Sequence, residues 1–254
     1  MPREFELRKE VELDASPEQV WDAIATGPGI SSWFMGPHEV EPHVGGRIKL
    51  AIGGFSEAAT ITSWDPGKRL AYRGDEAPDG SFHAMEYLIE GREGGSTVLR
   101  FVHSGILSDD WGAEYEDMTG HGWDMYLHTL GQYLTHFTGR PGTYVYAVGP
   151  GVPEGRDAWG LLTEGLGLTG PVAVGDRVRL APAGLPPVDG VVDYARPEYR
   201  EFLGVRSSDG LYRFHGGGPA IAIGHHLFAG DVNAEQAAAA WQQWLNQVLG
   251  APMR

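Results

Sequence analysis

Two segments place histidine and tyrosine where acid–base chemistry or ligand recognition could use them. Over 82–90, alternation puts His83, Met85, Tyr87 and Ile89 on one face, with Ala84, Glu86 and Glu90 on the other. Over 97–104, Leu99, Phe101 and His103 share a face and Arg100 lies opposite. If both are strands, His83, Tyr87 and His103 are the few polar groups on an otherwise apolar surface. Hydrolase- or cyclase-type chemistry needs an acid–base pair in such a place. His103 and Tyr87 are the candidates, with Asp110, Glu114 or Asp117 to supply a carboxylate. Non-catalytic binding needs less, namely an apolar pocket with a few convergent polar groups. The residues expected to contact such a ligand are Trp33, Phe34, Trp64, Tyr72, Met85, Tyr87, Phe101, His103, Trp123 and Tyr126. The same rings, with Trp111, are bulky enough to fill the pocket themselves.

Other chemistries find little support. The chain has no cysteine, so disulfides, thiolate catalysis and cysteine metal sites are excluded. His121 and His128 lie nearly on one helical face, each four residues after an aspartate, Asp117 and Asp124. That spacing reads as exposed helix pairs rather than a metal site. His225 and His226 are adjacent on an expected strand and point to opposite faces. No His-Glu-x-x-His, Gly-x-Ser-x-Gly or phosphate-loop motif is present. The glycine-rich 214–219 leads from strand to strand and reads as a hairpin turn. No catalytic residue, metal or cofactor is assigned.

The elements that would hold these residues follow from periodicity. Residues 5–13 alternate as a half-buried strand. Ser16, followed by Pro17 and Gln19, opens a helix with a capping box, and Gly27-Pro28-Gly29 ends it. A short helix or turn at 30–34 follows. Strands are expected around 47–52, 58–64, 69–73, 82–90 and 97–104, then a loop at 105–110. A long helix to about Thr138 carries an apolar stripe of Trp123, Tyr126, Leu127, Leu130, Leu134 and Phe137.

Beyond 140 the pattern repeats in outline. Val44-Gly45-Gly46-Arg47-Ile48-Lys49-Leu50 is echoed by Val174-Gly175-Asp176-Arg177-Val178-Arg179-Leu180, and Trp123-x-x-x-Leu127 by Trp241-x-x-x-Leu245. A strand at 143–148, a helix at 157–166, strands at 176–181, 188–195, 199–206, 210–215 and 219–228, and a final helix from Asn233 to Leu249 complete the layout. The stretch between helix and first strand is shorter than in the first half. A poorer cavity is therefore expected there, and the alanines at 237–240 would let another surface approach closely.

The 254 residues suit two domains. Net charge is −15, which repels nucleic acid and anionic membrane. Residues 1–140 hold 11 Lys+Arg against 23 Asp+Glu, a net −12, leaving −3 for the remainder. The N-terminus lacks an apolar signal region, and no apolar run reaches about 18 residues, so a cytoplasmic protein without membrane insertion is expected.

Four segments resemble the START-like (SRPBCC) superfamily, and within it the family named for the C-terminal domain of the activator of heat-shock-protein ATPase. They are Leu13-Asp14-Ala15-Ser16-Pro17-Glu18-Gln19-Val20-Trp21, Trp33-Phe34-x-x-Pro37, Val44-Gly45-Gly46, and Gly122-Trp123-x-x-x-Leu127-x-x-Leu130-x-x-Tyr133-Leu134. The resemblance implies an α+β fold of two helix-grip domains, each a curved antiparallel sheet around a long C-terminal helix. Residues 1–140 would enclose an apolar cavity and 141–254 would be a degenerate copy. The implied function is non-catalytic binding of a small hydrophobic molecule. The alternatives are a cyclase- or hydrolase-like enzyme using His103 and Tyr87, or a chaperone-associated interaction module with a protein partner or as a homodimer.

Overall fold

The computed structural model describes residues 3–52, 54–107, 114–196, 201–216 and 220–250, excluding the side chain of Glu114. It divides into two units, Met1–Pro141 and Gly142–Arg254. Among the described residues no helix is long and apolar enough to cross a membrane.

The first unit runs β1 (Arg3–Leu13), α1 (Pro17–Ala25), α2 (Gly27–Ser31), β2 (His38–Val40), β3 (Arg47–Ile52), β4 (Phe55–Asp65), β5 (Arg69–Gly74), β6 (Phe82–Gly91), β7 (Thr97–Leu107) and α3 (Glu114–His136). Its antiparallel sheet has the order β1-β7-β6-β5-β4-β3-β2. The first strand closes against the last, so the whole sheet flanks the helix that follows β7. The capping box forms as its residues dictate: Gln19 N–H donates to Ser16 Oγ, and Ser16 N–H donates to Gln19 Oε1 at 2.9 Å. β2 escapes the sequence pattern because three residues carry no period.

The expected loop at Gly105 is instead strand. Gly105 pairs with Phe5 on one side and His83 on the other. A Cβ there would lie 2.0 Å from the Phe82 carbonyl oxygen and 3.0 Å from the Phe5 ring. The glycine therefore permits close approach of neighbouring strands rather than a turn. Gly105→Ala is expected to cost about 1–3 kcal/mol through overpacking, measured as a lowered urea midpoint with unchanged m-value. An unaltered midpoint would refute this role.

On the long helix, Trp123, Met125, Leu127, Leu130, Tyr133 and Leu134 are buried, as is Phe137 just after it. They meet the inward rows of the sheet, where Leu13, Ile61, Leu70, Leu99 and Phe101 are all 2% exposed or less. Burying each such side chain contributes about 1.5–3 kcal/mol, and this apolar seam joins helix to sheet.

The second unit runs β8 (Thr143–Val148), α4 (Ala158–Gly165), β9 (Arg177–Leu180), β10 (Val188–Ala195), β11 (Phe202–Arg206), β12 (Gly210–His215), β13 (Ala222–Leu227) and α5 (Ala234–Gly250). The sheet order is β8-β13-β12-β11-β10-β9, again closing first strand on last. Trp241, Trp244, Leu245 and Leu249 of α5 share one core with Val145, Phe214 and Ile223 of the sheet. Between first helix and first long strand, the first unit has α2 and β2; the second unit has neither. Residues 199, 200 and 217–219, parts of an expected strand and turn, lie outside the described residues, as do Asp110 and Trp111.

One seam recurs. Gly45 N–H donates to Ile61 O at 2.8 Å and Ile61 N–H to Gly46 O at 2.9 Å. Gly175 N–H donates to Val192 O at 2.8 Å and Val192 N–H to Asp176 O at 2.9 Å. Both Gly45 and Gly175 have positive φ (85° and 99°), which glycine tolerates without Cβ strain. A register shift follows each seam, between Ile61 and Ser63 and between Val192 and Tyr194.

Candidate functional site

The inward rows of β6 and β7 meet the first turns of α3 at a short hydrogen-bonded chain. Trp123 Nε1–H donates to His103 Nδ1 at 3.1 Å, and His103 Nε2 lies 3.0 Å from His83 Nδ1. Indole nitrogen can only donate, so His103 Nδ1 is the acceptor. Neutral His103 then carries its proton on Nε2 and donates to His83 Nδ1. The Nε2–H of His83 becomes the outer end of the chain. Burial, aided by His83, lowers the His103 pKa to about 3, and burial also lowers that of His83, partly offset by Glu57. Both rings are neutral at pH 7, as the tautomer chain requires. Phe5 of β1 lies edge-on to both, 5.0 Å from His103 and 5.6 Å from His83.

A crevice of about 50 Å³ opens beside this chain. Phe34, Tyr72, Met85, His83 and His38 wall it with Ile48, Leu50 and Ala59, and Glu57 stands at its edge. Burial lowers the His38 pKa to about 4 and raises that of Tyr72 to about 12. Apart from Glu57, the wall is therefore uncharged at neutral pH.

Of the expected contact residues, Phe34, Tyr72 and Met85 line the crevice. Trp123 and Tyr126 pack on Phe34, with Trp123 stacked at 5.2 Å and 7° and Tyr126 edge-on at 4.6 Å. Phe101 lies 4.0 Å from Trp123 and 4.9 Å from Tyr87. Tyr87 stands 3.5 Å, oxygen to oxygen, from Tyr72. Trp33 is buried and donates its indole N–H to Ala23 O at 2.9 Å. These rings, with His103, form packing behind the crevice rather than its wall. Trp64 is not brought there: it packs edge-on against Trp21 of α1 at 5.0 Å. His38, Glu57 and Phe5 were not legible as site residues. His38 sits in a three-residue strand, and nothing local tells which end of β4 or β1 meets the crevice.

His121 approaches Asp117 at 3.5 Å and Asp124 at 3.9 Å, while Asp124 accepts a hydrogen bond from Lys9 at 2.6 Å. Asp124 is thus shared with β1 as well as its own helix. Among the described residues no group of three metal-ligating side chains forms. His225 and His226 are both buried and point apart, His225 against Trp241 and His226 against Tyr144.

Among the described residues, the second unit contains a cavity of about 530 Å³, roughly ten times the crevice. Phe34, from the loop after α2, stacks on Trp123 and lines the crevice. The second unit lacks α2, and short alanines occupy the first turns of its last helix.

A sheet closed first strand to last, gripping a C-terminal helix over an aromatic crevice, defines the first unit as a helix-grip domain. Residues 14–135 match the sequence model of the family described as Activator of Hsp90 ATPase homolog 1-like protein. The matched residues all lie within the first unit. Among solved structures, the chain is similar to a Mesorhizobium loti protein at 22% identity, covering 52% of this chain and 98% of that one, with TM-score 0.46. A Bacillus halodurans protein is similar at 24% identity, covering 53% and 99%, with TM-score 0.44. The Aha1 dimer from Colwellia psychrerythraea is similar at 22% identity, covering 51% and 96%, with TM-score 0.42. Among curated proteins none matches the chain.

Proposed function

We propose that the first unit binds a small apolar molecule at the crevice without turning it over. The observation that carries this reading is the wall of Phe34, Tyr72, Met85 and neutral His83, whose ring N–H, set by the hydrogen bond from His103 behind it, is the orienting donor. In its present shape the crevice takes only a few heavy atoms. Phe34 and Met85 are half-buried, and their rotation would deepen it, at the cost of the Phe34–Trp123 stack. Ligand entry and Phe34 displacement are therefore coupled. The enzyme reading is weaker because His103 has both ring nitrogens committed and its pKa is near 3, so it is a poor general base at neutral pH. The docking-module reading rests on Val44 and Phe55, 62% and 55% exposed; two such side chains are ordinary on a protein surface. The shared strand order and the recurring glycine seam support the second unit as a reduced copy of the first.

The test is titration of the full chain with uncharged N-phenyl-1-naphthylamine, whose emission rises in apolar surroundings. Measured in the Ala240→Phe background, which fills the second-unit cavity, binding is expected, tighter with Phe34→Ala added and lost with Met85→Trp added. No binding in that background with or without Phe34→Ala, or binding indifferent to Met85→Trp, would overturn the proposal.

A further inference from the structure

We infer that the second unit carries a binding site for a small molecule with an aromatic body and a cationic amine. This goes beyond the first-unit reading and does not depend on it. The site is the cavity of about 530 Å³ at the end of the sheet beneath the first turns of α5, within the size range of small-molecule pockets.

The cavity joins an aromatic and aliphatic side to a polar one, where Ser207, Ser208, Asn233 and Gln236 accompany two aspartates. Trp241 and Tyr212 contribute two rings, 6.5 Å apart and inclined at 55°, with Leu227 beside them. Ala237 and Ala240 face them from α5. The space exists because these two positions are methyls; Leu or Phe at either would occupy it. The indole is held firmly: Trp241 is 5% exposed, with His225 edge-on at 4.6 Å and Trp244 edge-on at 5.4 Å. The pocket is thus preformed rather than dependent on a collapsing side chain.

The charged residues lining it are Asp189 and Asp209, with no lysine or arginine among the lining side chains. The two carboxylates differ. Asp189 is matched by Arg179 of β9 at 2.5 Å. Among the described residues, the Asp209 carboxylate accepts only a neutral hydroxyl, from Ser207 at 2.7 Å, so its charge is not offset there by a cation. Asp209 also stands close enough to act on the Tyr212 phenol, whose pKa is raised to about 12 by burial first and by that carboxylate second. One carboxylate therefore adjoins an aromatic corner, the arrangement that recognises an ammonium group through charge and ring faces together.

The start of α5 does not turn the site toward anions. Asn233 Oδ1 already accepts the Gln236 N–H at 2.9 Å, and Glu235 lies in the first turn, opposing the positive end of the helix dipole. An anionic head would meet two carboxylates; a cationic head meets one that lacks a cationic partner.

The experiment is calorimetric titration of the full chain at pH 7 with three molecules of one shape: 1-naphthylmethylamine, 1-naphthylmethanol and 1-naphthoate. The amine is expected to bind about tenfold tighter than the alcohol, as one ammonium–carboxylate and ring contact allows, and the acid not to bind. Asp209→Asn should bring the amine down to the alcohol while leaving the alcohol unchanged. Ala240→Phe should abolish amine binding, and Met85→Trp in the first unit should not alter it. Ala237→Leu serves as the filling variant if Ala240→Phe does not fold. The inference is overturned if none of the three binds wild type, if amine and acid bind equally, if Asp209→Asn leaves the amine–alcohol ratio intact, or if binding survives both filling variants.

Discussion

Asp193→Ala is expected to destabilise the second unit by about 3–5 kcal/mol, the usual cost of removing one member of a buried ion pair. Asp193 and Arg213 form a two-pronged bridge, Nη1–H to Oδ1 at 3.0 Å and Nη2–H to Oδ2 at 2.7 Å. Their side chains are only 4% and 3% exposed. The bridge runs from β10 to β12 across β11, and Gly204 makes the crossing possible: a Cβ there would lie 2.8 Å from Arg213 Nη1 and 3.1 Å from Asp193 Oδ1. Removing the carboxylate takes this two-pronged counter-charge from a desolvated guanidinium. Since whole domains are stable by only about 5–15 kcal/mol, the second unit should then be close to unfolding at room temperature. The Asp193→Leu/Arg213→Met double variant should recover most of the loss, because the intact pair gains little over well-packed apolar groups. Urea unfolding of the single and double variants checks this. A single variant within about 1 kcal/mol of wild type would mean that the guanidinium finds water or another acceptor, and the assigned cause would be wrong.

Acid is expected to destabilise the first unit through His103. Its folded pKa of about 3 lies below the ordinary 6.5, so the fold binds this proton less readily than the unfolded chain. The contribution is fully present above pH 6.5 and is lost as pH falls from there toward about 3. The full loss is on the order of 4–5 kcal/mol. Protonation would force Nδ1 to become a donor facing the Trp123 indole N–H, which can only donate, and would place charge beside Phe5 and Phe101. His103→Gln is expected to flatten the stability–pH curve between pH 6 and 4 by about 1.4 kcal/mol per pH unit relative to wild type. Carboxylate titrations are common to both proteins and cancel in the difference. Urea midpoints across that range supply the comparison; parallel curves would exclude His103 as the acid-sensitive group.

How much was legible in the chain differs by level. Strand alternation placed Leu99, Phe101 and His103 on the buried side of β7, because a period of two is a local property of extended backbone. The Ser16 capping box was equally local. The order of elements in both units followed from the same periodicities, and the echo of Val44–Leu50 in Val174–Leu180 marked the two seams where hairpins close.

The chain did not reveal which aromatic rings meet. Trp64 lies after a bulge and at the end of β4 that α1 covers, so its partner is Trp21; face alone does not specify position along a sheet. Phe34 and Trp123 are far apart in sequence, yet their stacking decides how much space the first unit keeps. The tautomers of His103 and His83 depend on a donor, Trp123 Nε1–H, that arrives from another element. In the second unit, alanines that read as good helix formers turn out to bound a cavity beside Trp241. Sequence set the elements and their apolar faces, since those depend on neighbours along the chain. Tertiary structure decided which cavity stays open and which charges meet, since volume and hydrogen bonding depend on residues brought together from different elements.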